Sequence, residues 1–332
     1  MKAIIPVAGI GSRLRPHTHT QPKSLIPVAG KPILAHIIDE LVHQGITDLI
    51  FVIGYMGDKI EKYVTTQYPK VKSQFVIQTS GKGTAHALWL VKDLVKPNED
   101  LLIVFGDTIF KASLEDVLQS DYSMLGVKKV EDPRQFGVAE INDEGFINRL
   151  VEKPRIPKSN LALVGVYKIK NAGNLFSAIQ FVLENDIKTN DEYNLTDVLM
   201  HMVSKGAKMK TFKVENWFDC GKKDILLETN AILLKEGGFK KPDPKDYVNT
   251  IIIPPVFIGK DSQISNSIIG PFVSIGEKAI VDYAIIKNSI IGPYSQLEYA
   301  NLQNSIIGND ASLKGSPLSL NLGDSTEINL AN

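Results

Sequence analysis

Ala3-Ile4-Ile5-Pro6-Val7-Ala8-Gly9-Ile10-Gly11-Ser12-Arg13-Leu14-Arg15-Pro16 joins a short apolar run to a glycine loop that carries cations. Read as a strand, Ala3 to Ala8, that feeds a loop, it predicts an open α/β sheet whose ligand sits beyond the strand's carboxyl end. Backbone amides of such a loop can cradle phosphates. A dinucleotide fingerprint needs glycine at the third conserved position, where this chain has Leu14, and no G-x-x-x-x-G-K-[ST] occurs. What stands here is G-x-G-x-R followed by Pro22-Lys23, so Arg13 and Lys23 place two cations just past the glycines. One triphosphate needs about that much compensation.

The chain that follows alternates short apolar runs with helical patterns, the signature of a mostly parallel sheet with crossover helices. Helix is predicted from Pro32 to Gln44, with Pro near its start and Gly45 at its end. Strand follows at Asp48 to Ile53, helix at Lys59 to Tyr68, strand at Gln74 to Gln78, helix at Thr84 to Val95, and a buried strand at Leu101 to Phe105. Further strands are expected at Ser123 to Lys129, Gly137 to Ile141, Leu163 to Ile169 and Lys208 to Val214, with helices at Leu175 to Glu184 and Asn194 to Lys205.

Composition changes near Gly237, where Gly237-Gly238-Phe239-Lys240-Lys241-Pro242-Asp243-Pro244 reads as a linker. Beyond it Asn-Ser-Ile-Ile-Gly recurs at Asn266, Asn288 and Asn304, and Ile258, Ile264, Ile269 and Ile275 stand about six residues apart. That spacing turns one apolar side chain inward on each face of a triangular solenoid. It resembles a left-handed parallel β-helix of hexapeptide repeats, about four coils long. The expected organisation is therefore a catalytic domain over residues 1–240 and a linker with β-helix over 241–332.

The bulk properties of the 332 residues narrow the function. With 43% hydrophobic and 22% charged residues the chain is globular. Thirty-seven basic residues balance 37 acidic ones, so nothing favours sequence-independent attraction to nucleic acid or to an acidic membrane. Any anionic ligand must be held by local groups. The single Cys220 suits a reducing compartment, and no apolar run is long enough to span a bilayer, which points to the cytoplasm. His17-x-His19 lacks partners for a metal site, and Cys220 has no nearby histidine base in sequence.

Phe105-Gly106-Asp107-Thr108 ends an apolar strand with a carboxylate, poorly placed for packing but well placed to hold a cation at the sheet's active edge. Gln78-Thr-Ser-Gly-Lys82-Gly83-Thr84 is a strand end followed by glycines and a helix start. A side-chain amide there offers both a donor and an acceptor.

The stretch Gly9-x-Gly11-x-Arg13-Leu-x-Pro16-x-Thr18-x-x-x-Pro22-Lys23-x-Leu25-x-Pro27-Val28-x-x-Lys31-Pro32 closely resembles the signature of the sugar-1-phosphate nucleotidyltransferases, among them the glucose-1-phosphate thymidylyltransferases. The resemblance runs through roughly the first 240 residues. It implies a Rossmann-like mixed, mostly parallel sheet with helices on both faces, and a nucleoside triphosphate and a sugar 1-phosphate as ligands. It further implies that the Ala8, Gly9 and Gly11 backbone holds base and phosphates, that Arg13 and Lys23 bind the triphosphate, and that Gln78, Gly83 and Thr84 form the base-reading loop. By the same resemblance Asp107 and, in Trp217-Phe-Asp219-Cys-Gly221, Asp219 are the Mg²⁺ ligands. Gly137, Glu152-Lys153-Pro154 and Gly165 are the sugar side, with Glu152 on hydroxyls and Lys153 on the sugar phosphate. Thr196-Asp197 resembles another sugar-side element, which an N-cap role explains about equally well.

The implied reaction is in-line attack of the sugar phosphate on the α-phosphorus without a covalent enzyme intermediate, dTTP or UTP with glucose 1-phosphate being favoured. Four rivals stand beside it. A catalytically silent sugar-nucleotide sensor is opposed by the complete set of charged residues, and a guanylyltransferase acting on mannose 1-phosphate differs only in base and sugar. A glycosyltransferase would usually carry a D-x-D, where this chain has Asp107-Thr108-Ile109. An acyltransferase role for the tail is disfavoured because no histidine follows His201. An assembly role for the solenoid, hence a homo-oligomer, fits better.

Overall fold

The computed structural model describes residues 1–237 and 242–316, and the chain divides into two compact units, Met1–Thr229 and Asn230–Asn332. The boundary expected between residues 240 and 241, and the linker residues Gly238 to Lys241, lie outside the described residues.

The first unit is built on a nine-stranded Rossmann-like mixed sheet. Its parallel wing runs Leu101–Val104, Lys2–Pro6, Asp48–Ile53 and Lys72–Ile77, as expected of strands joined by crossover helices. The strand Leu161–Ile169 then pairs antiparallel with Leu101–Val104, with Gly137–Ile141 and with Ser123–Lys129, and so knits the second half of the unit onto the first. Ile147–Glu152 closes one edge, and Met209–Lys213 adds a parallel partner to Ser123–Lys129.

Strand side chains alternate between faces, and both faces are covered. Ile4, Ile50, Val52 and Ile103 pack with residues of the helices Thr84–Trp89, Ala172–Glu184 and Leu195–Ser204 in one apolar core. Their sequence neighbours Ala3, Ile5, Leu49, Phe51 and Leu102 are equally buried, on the other side of the sheet. The helix expected from Thr84 to Val95 ends at Trp89 and resumes only as a 3-10 turn at Lys92–Leu94. Elements beyond those the sequence pattern signals include the strand Ile147–Glu152, the short helix Glu115–Gln119 and a two-stranded ribbon of Thr108–Lys111 with Asn216–Asp219, while the helix Lys223–Glu236 contributes its first residues to this unit and its last to the second.

The second unit carries three parallel sheets of four short strands each, the arrangement of a left-handed β-helix. Ile252, Ile269, Ile286 and Leu302 stand in register down one face, 16 or 17 residues apart. Ile258, Ile275, Ile291 and Ile307 do the same on a second, and all eight belong to or pack on one core. Asn266, Asn288 and Asn304 turn the corners in the left-handed backbone region, with φ of 49°, 42° and 50°. Asparagine tolerates that region better than other residues bearing a side chain.

Candidate functional site

The loop that follows the first strand is built from three 3-10 turns, Ser12–Leu14, His17–His19 and Lys23–Leu25. Gly11 has φ +69° and packs so closely that a Cβ there would stand 2.9 Å from the Lys23 Cβ, while the Thr18 hydroxyl donates to the Gly11 carbonyl at 2.9 Å. The glycine thus lets Lys23 fold back over the loop.

A cleft of about 810 Å³ opens at the carboxyl ends of the parallel strands. Ala8, Gly9 and Gly11 line one wall, with Lys23 and Asp107 beside them; Gln78, Gly83 and Thr84 line another. Lys23 Nζ donates to Asp107 Oδ2 at 2.5 Å. Burial pushes the Asp107 carboxyl up, but the Lys23 ammonium, helped by Arg13, outweighs burial and holds it below the usual carboxylate range.

Asp219 does not line the cleft but is joined to Asp107 by the ribbon. Asp219 pairs with Thr108 in that antiparallel ladder, and the Cys220 amide donates to the Asp107 carbonyl at 3.0 Å. Burial and the neighbouring Asp107 charge push the Asp219 carboxyl up, against Lys23, Arg13 and Lys222. Arg13 stands on the same side: a Cβ on Gly221 would lie 2.9 Å from Arg13 Nη2 and 3.0 Å from Asp219 Oδ1, so the missing side chain leaves room for that guanidinium beside the carboxylate. Arg13, Lys23, Asp107 and Asp219 therefore form one electrostatic cluster. Among the described residues no group of three or more His, Cys, Asp or Glu could hold a metal by itself.

The sugar-side residues lie outside the residues lining the cleft and form their own cluster. Gly137 faces Glu152 across the strand pair, and a Cβ on it would meet Thr196 Oγ1 at 2.9 Å and Glu152 Oε2 at 3.1 Å. That space is used by a hydrogen bond in which the Thr196 hydroxyl donates to Glu152 Oε2 at 2.6 Å. Lys153 Nζ lies 3.6 Å from Glu152 Oε1, and its amide donates to the Phe136 carbonyl at 3.0 Å. The Phe136 ring meets Trp217 edge-on at 4.8 Å, which ties this cluster to the strand that bears Asp219. Gly165, at φ +78°, interrupts the register of its strand; its carbonyl accepts from the Phe105 amide at 2.8 Å, and Phe105 lines the cleft. Burial, and to a lesser degree the Glu152 charge, push the Asp197 carboxyl up against a Thr189 hydrogen bond, and its Oδ2 has no hydrogen-bond partner.

Gly83, at φ +99°, is needed for an approach within the chain: a Cβ there would stand 2.5 Å from the Tyr193 carbonyl oxygen. Tyr193 clamps the loop by donating to the Lys82 carbonyl and accepting from the Ala85 amide, both at 2.9 Å, and Thr84 Oγ1 accepts from the Leu195 amide at 2.9 Å. Two polar groups not singled out from the sequence also belong here. Ser24 lines the cleft with a buried hydroxyl that has no partner, and His86 contacts Gln78. Ser24 was legible as a polar residue between Lys23 and Leu25, but only the fold shows that it is buried.

Residues 2–236 match the family described as Nucleotidyl transferase. The chain is 34% identical over 250 residues to a low-salt glycan biosynthesis nucleotidyltransferase of Haloferax volcanii, a match that covers 73% of this chain and 68% of that protein. It is 29% identical over 314 residues to a glucose-1-phosphate thymidylyltransferase of Streptomyces griseus, covering 88% and 87%. Among solved structures, a UDP-glucose pyrophosphorylase complexed with UDP-glucose superposes with a TM-score of 0.61 at 25% identity, over 71% of this chain and 98% of that one. A glycine loop at a strand's end, a cation–carboxylate cluster beside it and a match over most of the first unit agree: the chain belongs to the nucleotidyl transferase family.

Proposed function

We propose that the protein transfers a nucleotidyl group from dTTP or UTP to glucose 1-phosphate, giving a nucleotide sugar and pyrophosphate. Sugar-nucleotidyl transfer is the activity of the family relatives. The observation that carries nucleotidyl transfer is the ion cluster of Lys23, Asp107, Arg13 and Asp219 beside a cleft lined by the glycine loop and Gln78, and the thymidylyltransferase and UDP-glucose pyrophosphorylase relatives favour this base and sugar. The glucose 1-phosphate oxygen forms a bond to the α-phosphorus as the bond from that phosphorus to the β-phosphate oxygen breaks, and the electron pair leaves with pyrophosphate. No general base is needed, because a phosphate oxygen is already ionised at neutral pH.

In this reading the loop amides at Gly9 and Gly11 hold phosphates, and Arg13 and Lys23 stabilise the leaving pyrophosphate. Lys153 orients the attacking phosphate as a point charge, and Glu152 accepts from sugar hydroxyls. The unpartnered Asp197 Oδ2 supports a further hydroxyl contact there. Asp107 and Asp219 suit Mg²⁺: both are hard oxygen donors, and burial and then the Asp107 charge push the Asp219 carboxyl up, a strain that a bound cation would relieve. These two residues would hold the ion, which supplies charge neutralisation at phosphate oxygens. Two carboxylates are about the protein share that Mg²⁺ takes alongside substrate phosphates.

The same proposal places the protein in the cytoplasm as a homo-oligomer. No helix among the described residues is long and apolar enough to cross a membrane, and the outward Ile251, Ile268 and Ile285 stack in register on one β-helix sheet. The test is a panel of triphosphates against sugar 1-phosphates scored by pyrophosphate release. Fastest turnover of dTTP or UTP with glucose 1-phosphate is expected, and silence with every pair ends the proposal.

A further inference from the structure

The side-chain amide of Gln78 has one available orientation. Its Nε2 lies 3.3 Å from the Gly83 carbonyl oxygen and 3.1 Å from His86 Nδ1. A carbonyl oxygen only accepts, so the nitrogen end of the amide must face Gly83. The Tyr193 clamp fixes that carbonyl, since it binds the residues on either side of it, Lys82 and Ala85. The second amide N–H then meets His86 Nδ1, which must be the unprotonated ring nitrogen, with the ring proton on Nε2. Burial, and then the nearby Lys82 ammonium, push the His86 pKa down and favour this neutral ring. Both donors of the amide are thereby used. Gln78, only 8% exposed, lines the cleft, and Oε1 is the group it has left for a ligand.

We propose that His86 is a positioning residue for base choice: by accepting one amide N–H it commits Gln78 to present an acceptor, Oε1, to the nucleotide base. An acceptor there selects a base whose ring nitrogen carries a proton. Uracil, thymine and guanine offer such an N–H on the pairing edge, whereas cytosine and adenine offer a bare nitrogen that would confront Oε1 lone pair to lone pair. Without His86 the second amide hydrogen has no partner and the amide is held only by the longer contact with the Gly83 carbonyl, so its orientation is less firmly fixed and discrimination falls. The inference rests on the reading of Gln78 as a base contact.

The experiment compares kcat/KM for UTP and CTP, with glucose 1-phosphate as acceptor, in the wild type and in His86→Phe, His86→Asn and His86→Lys. The wild type is expected to prefer UTP. His86→Phe keeps ring volume but removes the acceptor, and the UTP-to-CTP ratio should fall by about tenfold, the cost of one misdirected hydrogen bond, while KM for glucose 1-phosphate stays unchanged. His86→Asn, whose side-chain oxygen accepts, should restore the ratio; His86→Lys, which can only donate, should lower it further. An unchanged ratio in His86→Phe overturns the inference. Should that variant misfold, the nitrogen chemical shifts of His86 in the wild type decide: a proton on Nε2 supports the proposal, and one on Nδ1 overturns it. A wild type that releases pyrophosphate with no triphosphate sinks the proposed function instead, so the two failures are distinct.

Discussion

Lys23 Nζ stands 2.5 Å from Asp107 Oδ2, joining the glycine loop after the first strand to the end of its neighbour in the sheet. Lys23 faces a carboxylate and the cleft at once, so in the proposed reaction its charge serves both Asp107 and the triphosphate. Lys23→Met keeps the stem and removes the charge. It should cut kcat by roughly 10² to 10³, the loss typical of one preorganised group at a developing charge. Circular dichroism should show an intact fold, since the stem still packs under Gly11. Turnover within a factor of three of wild type would show that Lys23 serves Asp107 alone.

The Thr196 hydroxyl orients Glu152 by donating to Oε2 at 2.6 Å. Thr196→Val preserves shape and removes that donor. The freed carboxylate should take hydroxyls less well, raising KM for glucose 1-phosphate by about fivefold, one hydrogen bond's net worth, with KM for the triphosphate unchanged. Equal effects on both KM values would place Thr196 in general packing rather than on the sugar side.

How much of this was legible in the sequence depends on how local the signal is. Asp48–Ile53, Ser123–Lys129 and Gly137–Ile141 begin and end where their apolar pattern predicts, because each is a self-contained run bounded by turns. The Thr84 helix stops at Trp89 although nothing in Leu90-Val91 marks a stop. The helix Lys223–Glu236 was not legible: its buried Leu226, Leu227, Leu233 and Leu234 share one face, but the fully buried Thr229 and Asn230 put polar residues on that face and break the apolar pattern. The Asn-Ser-Ile-Ile-Gly repeats announced the solenoid, yet Ile268–Ile269 lies in one sheet and Ile290, Ile291, Ile306 and Ile307 in another. Each face of a triangular coil asks for the same inward apolar residue and left-handed corner, so an identical pentapeptide can serve any face. Asp107 and Asp219 stand out individually, but their meeting depends on a ribbon between strands about a hundred residues apart, which no local pattern encodes.

His36 offers a pH-dependent stability test. Its Nε2 donates to the Val28 carbonyl at 2.9 Å, and burial pushes its pKa down from 6.5 to about 4, the Val28 bond opposing and Lys31 adding to the shift. The unfolded chain therefore binds a proton that the folded chain refuses between those values. Stability is fully present above pH 6.5 and falls as pH drops towards 4, by about 3 kcal/mol in all. In His36→Gln, which keeps a donor for Val28 but does not titrate, urea midpoints measured from pH 7 to 4 should decline less steeply. Parallel declines would assign the acid sensitivity elsewhere.

Asn230 is fully buried on the helix Lys223–Glu236, where apolar residues are the rule. Its Oδ1 accepts from Ser274 Oγ at 2.6 Å and its Nδ2 donates to the Phe272 carbonyl at 3.2 Å, so within the second unit one amide holds the last turns of the helix to a coil of the solenoid. Asn230→Leu is close in volume but leaves the Ser274 hydroxyl without this partner, while the Phe272 carbonyl keeps the Ser289 amide. Stranding a buried polar group costs more than the bond itself contributes, and a loss of about 2 kcal/mol is expected in urea unfolding. Ser274→Ala on the Asn230→Leu background removes one stranded group and should recover part of that loss, whereas Ser274→Ala alone should destabilise. A double-mutant cycle of the four proteins reads the coupling directly, and strictly additive effects would mean that the two side chains do not act on each other.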